Sequence, residues 1–450
     1  MTYTREQAYN KTLEYFRGDE LATNVFLDKY ALKDREGNLY ELTPKDMHRR
    51  LAKEFARIES KYPNPLSEEQ IFELLDKFKF LVPQGSPMFG IGNDFTITSL
   101  SNCFVIGSND DSDSYGSIMR TDQEQIQLMK RRGGVGHDIS HLRPSGAMAN
   151  NSVLKGMAGS TLYMERYSNS TREVSQGDRR GALMLSIDVT HPDAEKFIDA
   201  KLEQDKVTGA NISVKLTDEF MNRVKCDGSF YQTFPIDLKI PFCGKDYELV
   251  SKLEYEKLLP VTGGYIKKIE AKKLWNKIIH NAWKSAEPGL LFWDTILRES
   301  PAGCYGKEWE ERSTNPCSEL PLCEYDSCRL LAINLYSYVN DKFTSNAHFN
   351  FELFKYHVAI AQRIMDDIVD LEIEKIDKIL DKINSDPESE DLKRVELNLW
   401  TKIKEKAIQG RRTGLGITGL GDMLAAMNLR YGSEEAVEFS EEVHRVLAVE

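Results

Sequence analysis

The stretch that decides the fold runs from Phe95 to Gly107 and reads FTITSLSNCFVIG. Its apolar and β-branched residues favour a β-strand. The segment directly before it, from Val82 to Gly92, is crowded with proline and glycine, which mark turns. A strand after such a break predicts that a domain containing β-structure begins near residue 83.

Further along the chain, short apolar runs alternate with helical patterns as far as residue 215, and glycines stand at the junctions. This alternation predicts an α/β architecture with its chemistry in the loops. Later helical tracts are expected near Lys272–Lys284, over Phe351–Leu371 and over 390–408. A charged, poorly apolar connector is expected between the last two tracts.

Residues 1–82 read as a helical N-terminal section. Met47–Ile58 and Ser67–Leu81 carry apolar residues three and four positions apart, as amphipathic helices do. Ser67 is followed by acidic residues and predicts the N-cap of the second helix. The simplest division is therefore a helical section, 1–82, and one catalytic domain, 83–450.

Composition excludes several classes of protein. A hydrophobic content of 41% and a charged content of 29% are typical of a globular protein, and no apolar run approaches the roughly 20 residues of a membrane span. The net charge of -12 argues against a nucleic-acid-coating protein. The polar N-terminus lacks a secretory signal, so we expect a cytoplasmic location. Seven cysteines are too few for a disulfide scaffold in a chain of this length.

The segment Thr314–Leu320, TNPCSEL, carries the group of side chains that most strongly indicates chemical reactivity. Asn315, Cys317 and Glu319 alternate along it, so a thiol is flanked by an amide and a carboxylate. A carboxylate can act as a general base on a hydroxyl, and an amide can hold and polarise an oxygen. Pro316 makes a regular strand unfavourable and favours a loop. The alternative is that Cys317 is a small buried apolar residue in a turn.

Two metal-site patterns are weak. Cys304, Cys317, Cys323 and Cys328 contain no C-x-x-C pair of the usual zinc spacing. His137 and His141, in HDISH, resemble a zinc-binding H-E-x-x-H motif with Asp in place of Glu, but that motif requires a helix and this segment follows a glycine-rich turn. We interpret both patterns as unrelated to metal.

The sequence GLGITG at Gly414–Gly419 satisfies G-x-G-x-x-G. A dinucleotide-binding fingerprint should follow a strand and open a helix. This one follows a charged helical tract and Arg411–Arg412. We therefore interpret it as a close-packed structural element.

Seven segments in order along the chain resemble the active-site signatures of the ribonucleotide reductase large subunit. An ordered set of this kind is far more specific than any single motif. The segments are SNCFVIG, KRRGGVGHDISHLRP, RRGALMLSIDVTHPDAEKFIDAK, NISVKLTDEFM, TNPCSEL, SCRLLAINL and RRTGLGITGLGDML.

The resemblance implies an α/β fold that is part of a ten-stranded α/β barrel, with the radical cysteine on a loop threaded through its centre. Cys317 would form the thiyl radical that takes hydrogen from the ribose 3′ carbon. Glu319 would accept the 3′-hydroxyl proton, and Asn315 would bind the substrate hydroxyls. Cys103 and Cys328 match the redox pair that delivers two electrons and ends as a disulfide.

The resemblance also assigns two nucleotide sites. Ser101, Asn102, Gly133 and Gly134 would contact the ribonucleotide substrate. Asp110 and Arg143 match positions of the specificity-effector site, which takes a deoxynucleoside triphosphate or ATP. The segment Leu202–Asn211 would be the mobile loop between effector and substrate.

The segment YMERYSNSTREVSQGDRRGALML resembles the sequences of adenosylcobalamin-dependent members of the family. Adenosylcobalamin is therefore the expected radical source, and a di-iron or dimanganese partner subunit is the alternative. Expected partners are a thioredoxin- or glutaredoxin-type reductant and a second copy of the chain in a homodimer.

The chain leaves no room for the family's N-terminal ATP-binding cone and ends at Glu450, before the barrel of the family is complete. We therefore expect it to be inactive alone and to need a complementing C-terminal fragment. The alternatives from other classes are a catalytically inactive nucleotide-binding regulatory protein and a zinc-stabilised structural module.

Overall fold

The computed structural model describes residues 2–107, 113–145, 147–149, 152–153, 159–176, 179–202, 206–235, 248–250 and 264–450. The chain forms two compact units. The first unit comprises Met1–Asn102, Ser327–Glu388 and Trp400–Glu450, and the second comprises Cys103–Asp326 and Ser389–Leu399.

The second unit contains five parallel strands that lie side by side in chain order. Each strand pairs with the one before it, as parallel strands do when a helical crossover joins them. The strands are β1 (Cys103–Val105), β2 (Gly134–Asp138), β3 (Leu183–Asp188), β4 (Asn211–Leu216) and β5 (Gly289–Phe292).

Helices connect these strands and cover the sheet. Because both faces of such a sheet are buried, its strands are almost continuously apolar, as in LMLSID of β3. The α/β architecture expected from the alternating pattern is therefore confirmed. The helices of this unit are Tyr115–Met129, Ser160–Glu173, Ala194–Asp199, Asp218–Lys225, Ala271–Ser285 and Trp293–Glu299.

The remaining strands of the second unit are antiparallel. A three-stranded sheet lies between β4 and β5 in the sequence, with Gly264–Glu270 between Ser229–Pro235 and Glu248–Val250. Two-residue pairs form at Met148–Ala149 with Ser152–Val153, Ser175–Gln176 with Arg179–Arg180, and Ser313–Thr314 with Pro321–Leu322. Short 3-10 helices occupy Ala302–Tyr305 and Lys307–Trp309.

The first unit begins with the expected helices. The tract predicted over Met47–Ile58 lies inside the helix Pro44–Glu59. Ser67 caps the next helix through a capping box with Gln70, as predicted. The other N-terminal helices are Arg5–Tyr15, Glu20–Lys29 and Gly85–Gly90.

The helix predicted over Ser67–Leu81 is shorter than expected and ends at Leu75. Asp76 adopts an extended backbone, and Lys77 and Phe78 take left-handed conformations in a short 3-10 turn, Asp76–Phe78. Residues with a left-handed backbone cannot continue an α-helix. The apolar periodicity therefore runs on beyond the helix and into the strand Leu81–Pro83.

Three strands of the first unit form a second sheet. Leu330–Asn334 lies in the centre, antiparallel to Leu81–Pro83 and parallel to Gly414–Thr418. The GLGITG motif is therefore itself a strand followed by the helix Leu420–Ala426, and not a turn that follows a strand. Most residues of this strand are half-buried, so its interpretation as a close-packed element stays a prediction.

The helix Phe351–Ser385, called the long helix below, extends well beyond the predicted end at Leu371. The charged connector expected after it is mostly helical, because buried Ile376, Ile379 and Ile383 continue its apolar face. The next helix is Glu390–Gly410, and the last is Glu434–Val449.

The core of the first unit is one cluster built from the N-terminal helices, the three-stranded sheet and the long helix. Among the described helices, none is both long and apolar enough to cross a bilayer. Fully buried members of the core include Leu51, Phe55, Ile71, Leu75, Ile333, Phe354, Ile364, Ile368 and Met423. The strands Ser327–Cys328, Val339–Asn340 and His348–Phe349 and the 3-10 helix Leu335–Tyr338 complete this unit.

Candidate active site

The segment Arg312–Leu322, called the cysteine loop below, is a tight hairpin. The backbone N–H of Asn315 donates to the carbonyl oxygen of Leu320 over 3.1 Å, and the side-chain oxygen of Asn315 accepts from the Leu320 N–H over 3.0 Å. Ser318 closes the turn in a left-handed conformation with φ of 69°. Asn315 is fully buried, whereas Cys317 and Glu319 are exposed at the tip. The predicted loop is therefore present.

The cysteine loop runs along the parallel sheet in the direction opposite to the strands. Lys215, near the carboxyl end of β4, donates to the carbonyl oxygen of Arg312 over 2.6 Å. Asn211, at the amino end of the same strand, donates from its side chain to the carbonyl oxygen of Pro316 over 2.8 Å. The four positions from Arg312 to Pro316 therefore run beside the four positions from Lys215 back to Asn211, and Cys317 follows at the amino end of β4.

The loop passes β2 at Gly136. A β-carbon built on this glycine would lie 1.8 Å from the carbonyl oxygen of Thr314, closer than any real contact. Only glycine leaves room for the loop backbone at this point. The third glycine of RRGGVG therefore has a steric role that the sequence did not identify.

Asn315 and Cys103 are brought together by this arrangement. The side-chain amide of Asn315 lies 3.5 Å from the sulfur of Cys103, although 212 residues separate them in the sequence. Cys103 opens β1 and stands opposite Gly134 in the parallel pairing of β1 with β2. Three residues predicted for the site thus lie together in the second unit.

The neighbouring Gly133 packs against an aromatic ring. A β-carbon there would come within 2.5 Å of the Phe104 side chain, and Phe104 is itself fully buried. The turn before β2 therefore admits no larger residue without moving Phe104. Lys130 and Arg131 precede this turn and contact the Glu396 carboxylate at 2.8 Å and 3.5 Å.

Ser101 and Asn102 belong to the first unit, where a buried carboxylate holds their segment. Glu372 of the long helix accepts from the Ser99 hydroxyl at 2.6 Å, the Leu100 N–H at 2.6 Å and the Ser101 hydroxyl at 2.9 Å. Glu372 has no exposed surface. No sequence motif identifies Glu372 as a functional residue, because its hydrogen-bond partners are more than 270 positions away in the sequence.

Asn102 is 7% exposed, and only one of the two polar atoms of its side-chain amide forms a hydrogen bond. Its side-chain oxygen accepts from the N–H of Ser86 over 3.0 Å, whereas its amide nitrogen has no hydrogen-bond partner in the part of the chain described. A buried donor without a partner is costly, so it is suited to a ligand or a water molecule.

Cys328 is almost fully buried in the first unit, at 2% exposure. Its carbonyl oxygen accepts from the backbone N–H of Asn102 over 3.0 Å, and Asn102 directly precedes Cys103 in the chain. A β-carbon on Gly414 would lie 3.6 Å from the Cys328 sulfur, an ordinary contact. The pairing of Cys328 with Cys103 stays a prediction.

Buried charges surround the entry of the cysteine loop. Lys215 forms an ion pair with Asp138 over 2.9 Å and is 4% exposed. Burial tends to raise the pKa of Asp138, but the Lys215 charge and hydrogen bonds from Lys215 and Ser140 prevail and lower it. Burial raises the pKa of the neighbouring Asp188, and the charge of Asp138 adds to this effect. The pKa values of these two neighbouring acids are therefore shifted in opposite directions.

The predicted effector residues are only partly described. Asp110 lies outside the described residues, as do positions 203–205 of the predicted mobile loop. Arg143 forms an ion pair with Asp113, with its terminal nitrogen 2.9 Å from one carboxylate oxygen. Asp113 shares its acidic segment with Asp110, and no feature of that segment's sequence favours one over the other.

The HDISH segment lies on a strand and not on a helix. His137 is inside β2, fully buried, with its ring nitrogen 3.2 Å from the side-chain oxygen of Gln125. Burial lowers the pKa of His137 to about 3, so its ring is neutral. Among the described residues, no group of three or more His, Cys, Asp or Glu side chains has the geometry of a metal site.

Comparison with known families matches nearly the whole chain to one enzyme family. Residues 101–450 match the family described as "Ribonucleotide reductase, barrel domain". Residues 16–92 match the family described as "Ribonucleotide reductase, all-alpha domain".

Individual relatives agree with the family matches. A protein of Mycobacterium tuberculosis named vitamin B12-dependent ribonucleoside-diphosphate reductase is 30% identical over 455 residues, which cover 98% of this chain and 56% of the relative. A protein of Thermoplasma acidophilum with the same name is 32% identical over 379 residues, which cover 83% and 40%. The ribonucleoside-diphosphate reductase subunit alpha of Helicobacter pylori is 28% identical, with 94% and 56% covered. The chain thus spans about half the length of these curated relatives.

Proposed function

Because the chain belongs to the ribonucleotide reductase large-subunit family, we propose that it carries the radical-bearing loop of an enzyme that reduces ribonucleotides to 2′-deoxyribonucleotides. Cys317 would take a hydrogen atom from the ribose 3′ carbon as a thiyl radical. Glu319 would accept the proton of the 3′-hydroxyl, and Asn315 would hold the substrate hydroxyls. The contact of Asn315 with Cys103 is the observation that supports this assignment most directly.

The electrons would come from Cys103 and Cys328. Replacing a hydroxyl group by hydrogen consumes two electrons, and two thiols supply two electrons and two protons when they close to a disulfide. The 3.0 Å hydrogen bond between the Asn102 N–H and the Cys328 carbonyl supports this pairing, since Cys103 is the next residue. Closure would require the two α-carbons to come within about 7 Å.

The radical source we propose is adenosylcobalamin. Bound near the loop, it would supply the radical that removes the hydrogen atom from the Cys317 thiol. The exposure of Cys317 at the tip of the loop fits a thiol that an external group must reach. Two relatives that are at least 30% identical carry vitamin B12 dependence in their names. A di-iron or dimanganese partner subunit is the alternative source.

The substrate would be a ribonucleoside diphosphate or triphosphate. Gly133 and Gly134 allow its close approach to the backbone, and Ser101 and Asn102 supply polar groups. The unpartnered amide nitrogen of Asn102 supports a role in binding, because it can donate to an oxygen of the ligand. A second nucleotide would bind near Arg143 and select the substrate.

Further partners follow from the proposed chemistry. A second copy of the chain would form a homodimer with it. A thioredoxin- or glutaredoxin-type protein would reduce the disulfide after each turnover.

A single-turnover experiment tests the proposal. The prereduced protein would be mixed with adenosylcobalamin and a ribonucleotide, without external reductant, and deoxynucleotide would be counted per chain. We expect about one product per chain and a disulfide between Cys103 and Cys328 in the peptide map, because one dithiol provides one pair of electrons.

Two variants complete this test. Cys317→Ser should form no product. The control Cys226→Ser should behave as wild type, since Cys226 is exposed at the end of the helix Asp218–Lys225 and its thiol donates to the Arg223 carbonyl at 3.6 Å. Product formation by Cys317→Ser at the wild-type level would refute the assignment. Repeating the assay with a di-iron or dimanganese partner in place of adenosylcobalamin would separate the two radical sources.

A further inference from the structure

We propose that Lys215 is a positioning residue for the cysteine loop: its buried ammonium holds the entry end of the loop and so sets how far Cys317 reaches along the sheet. This inference rests on the proposed function, since the reach of the loop matters for catalysis only if Cys317 is the radical thiol. The family resemblance assigns no role to Lys215.

The contacts of the Lys215 ammonium all lie at the carboxyl end of the parallel strands. It pairs with Asp138 of β2 at 2.9 Å and donates to the Arg312 carbonyl oxygen at 2.6 Å. It also lies 4.0 Å from the centre of the Trp293 ring, which follows β5. One cation therefore joins β2, β4 and the residue after β5 to the first residue of the loop.

Burying a lysine charge is costly unless the charge is paired and hydrogen bonded. Asp138 meets this requirement, and it is itself held by the Ser140 N–H at 2.9 Å and the Ser186 hydroxyl at 2.9 Å. The carboxylate therefore has fixed geometry, and it fixes the ammonium in turn. A fixed donor is what a positioning residue needs.

The Ser186 hydroxyl makes a second, weaker link to the loop, at 3.0 Å from the hydroxyl of Ser313. Beyond this entry point the hairpin is stiffened by its own hydrogen bonds, so a change at Arg312 is transmitted to the tip. The loop is then held at its entry by Lys215 and beside its tip by Asn211, which contacts the residue before Cys317. The entry anchor is the charged one.

Hydrogen exchange resolved by peptide tests the proposal on the 450-residue chain itself, without any turnover. The reporters are the loop amides that donate within the hairpin, those of Asn315, Ser318 and Leu320. In Lys215→Met these amides should exchange about tenfold faster or more, while exchange of the amides of β2, β3 and β4 should rise much less.

Three further variants separate positioning from general stability. Lys215→Arg keeps a cation with donors and should restore most of the loop protection. The control Lys277→Met removes a partly exposed lysine paired with Glu195 and Asp199 and should leave the loop unchanged. Should Lys215→Met fail to fold because Asp138 is left bare, the double variant Asp138→Asn/Lys215→Met removes both charges and should still release the loop.

The proposal is overturned if the loop exchanges at the wild-type rate in the Lys215→Met or double variant. It is also overturned if the protection of β2, β3 and β4 falls as much as that of the loop, or if Lys215→Arg fails to restore it. These outcomes are independent of the single-turnover result, so failure of the anchor and failure of the reductase assignment are distinguishable.

Discussion

The carbonyl oxygen of Thr314 lies 1.8 Å from the position that a β-carbon on Gly136 would occupy. The cysteine loop therefore packs backbone against backbone on β2. This contact helps to set the height of Asn315 and Cys317 above the sheet, because both follow within three residues.

The first prediction concerns this contact. Gly136→Ala should destabilise the chain by about 1–3 kcal/mol, as overpacking does in a close-packed interior. Gly416→Ala is the matched control, because Gly416 also lies in a parallel strand but a β-carbon added to it would meet no atom within 4 Å. Urea unfolding of both variants would measure the difference. Equal stability of the two variants would show that the loop can move aside at no cost.

The second prediction concerns the buried carboxylate of Glu372. Glu372→Ala leaves the donors of Ser99, Leu100 and Ser101 without an acceptor, and each unsatisfied buried donor costs about 1–3 kcal/mol. We therefore expect a loss of at least about 3 kcal/mol in the free energy of unfolding.

Glu374→Ala is the control for this loss, two positions along the same helix. Glu374 is partly exposed and pairs with Arg57 and Lys61 at the surface, where an ion pair contributes about 0–1 kcal/mol. Chemical denaturation of the two variants gives the comparison. If Glu372→Ala lost no more unfolding free energy than Glu374→Ala, the hydrogen bonds to Glu372 would not stabilise the chain.

The third prediction is a pH dependence at Asp367. Burial, followed by the charge of Glu59, raises the pKa of Asp367 from 3.8 to about 8. A carboxyl with a raised pKa binds its proton more tightly in the folded state. The stability that the protonated Asp367 carboxyl contributes to the folded state is therefore complete below the pKa of this group in the unfolded chain. It is lost as the pH rises through about 8.

Asp367→Asn cannot ionise and should escape this loss. Relative to wild type, the variant should gain stability steadily between about pH 4 and about pH 8, and the gain should level off above that range. Unfolding free energies measured across this range would test it. Parallel pH profiles for the two proteins would show that Asp367 ionises normally.

The fourth prediction concerns the turn before β2. Glu396 is 7% exposed and holds Lys130 and Arg131, which precede Gly133 and Gly134. Glu396→Ala should cost about 1–3 kcal/mol, the usual contribution of hydrogen bonds to charged groups. It should also speed hydrogen exchange in the turn.

Glu390→Ala, on the same helix, removes an exposed partner of Lys393 and serves as the control. Exchange measured in the peptide that spans residues 130–134 distinguishes the variants. If both variants leave this peptide as in wild type, Glu396 does not hold the turn.

Local patterns were sufficient for several features. The capping box at Ser67 and Gln70, the helices and the alternation that builds the parallel sheet all depend on residues a few positions apart. The resemblance of seven ordered motifs likewise needed no coordinates, and the family matches over 16–92 and 101–450 confirm it.

Other features could not be predicted because they depend on backbone conformation or on distant partners. The helix after Ser67 ends at Leu75 because Lys77 and Phe78 adopt left-handed conformations, which neither residue type favours. Glu372 and Lys215 resembled ordinary charged residues, and only their burial against Ser101 and Arg312 reveals what they hold.

The amino-acid sequence by itself determined which chemistry-bearing residues are present and which family they belong to, since motif order and short-range periodicity are written in consecutive positions. Only the tertiary structure decided that Asn315 meets Cys103 across 212 residues and that Lys215 meets the entry of the cysteine loop. The physical reason is that such contacts depend on how buried strands and a returning loop pack in three dimensions, and the free energy of that packing is shared by the whole chain.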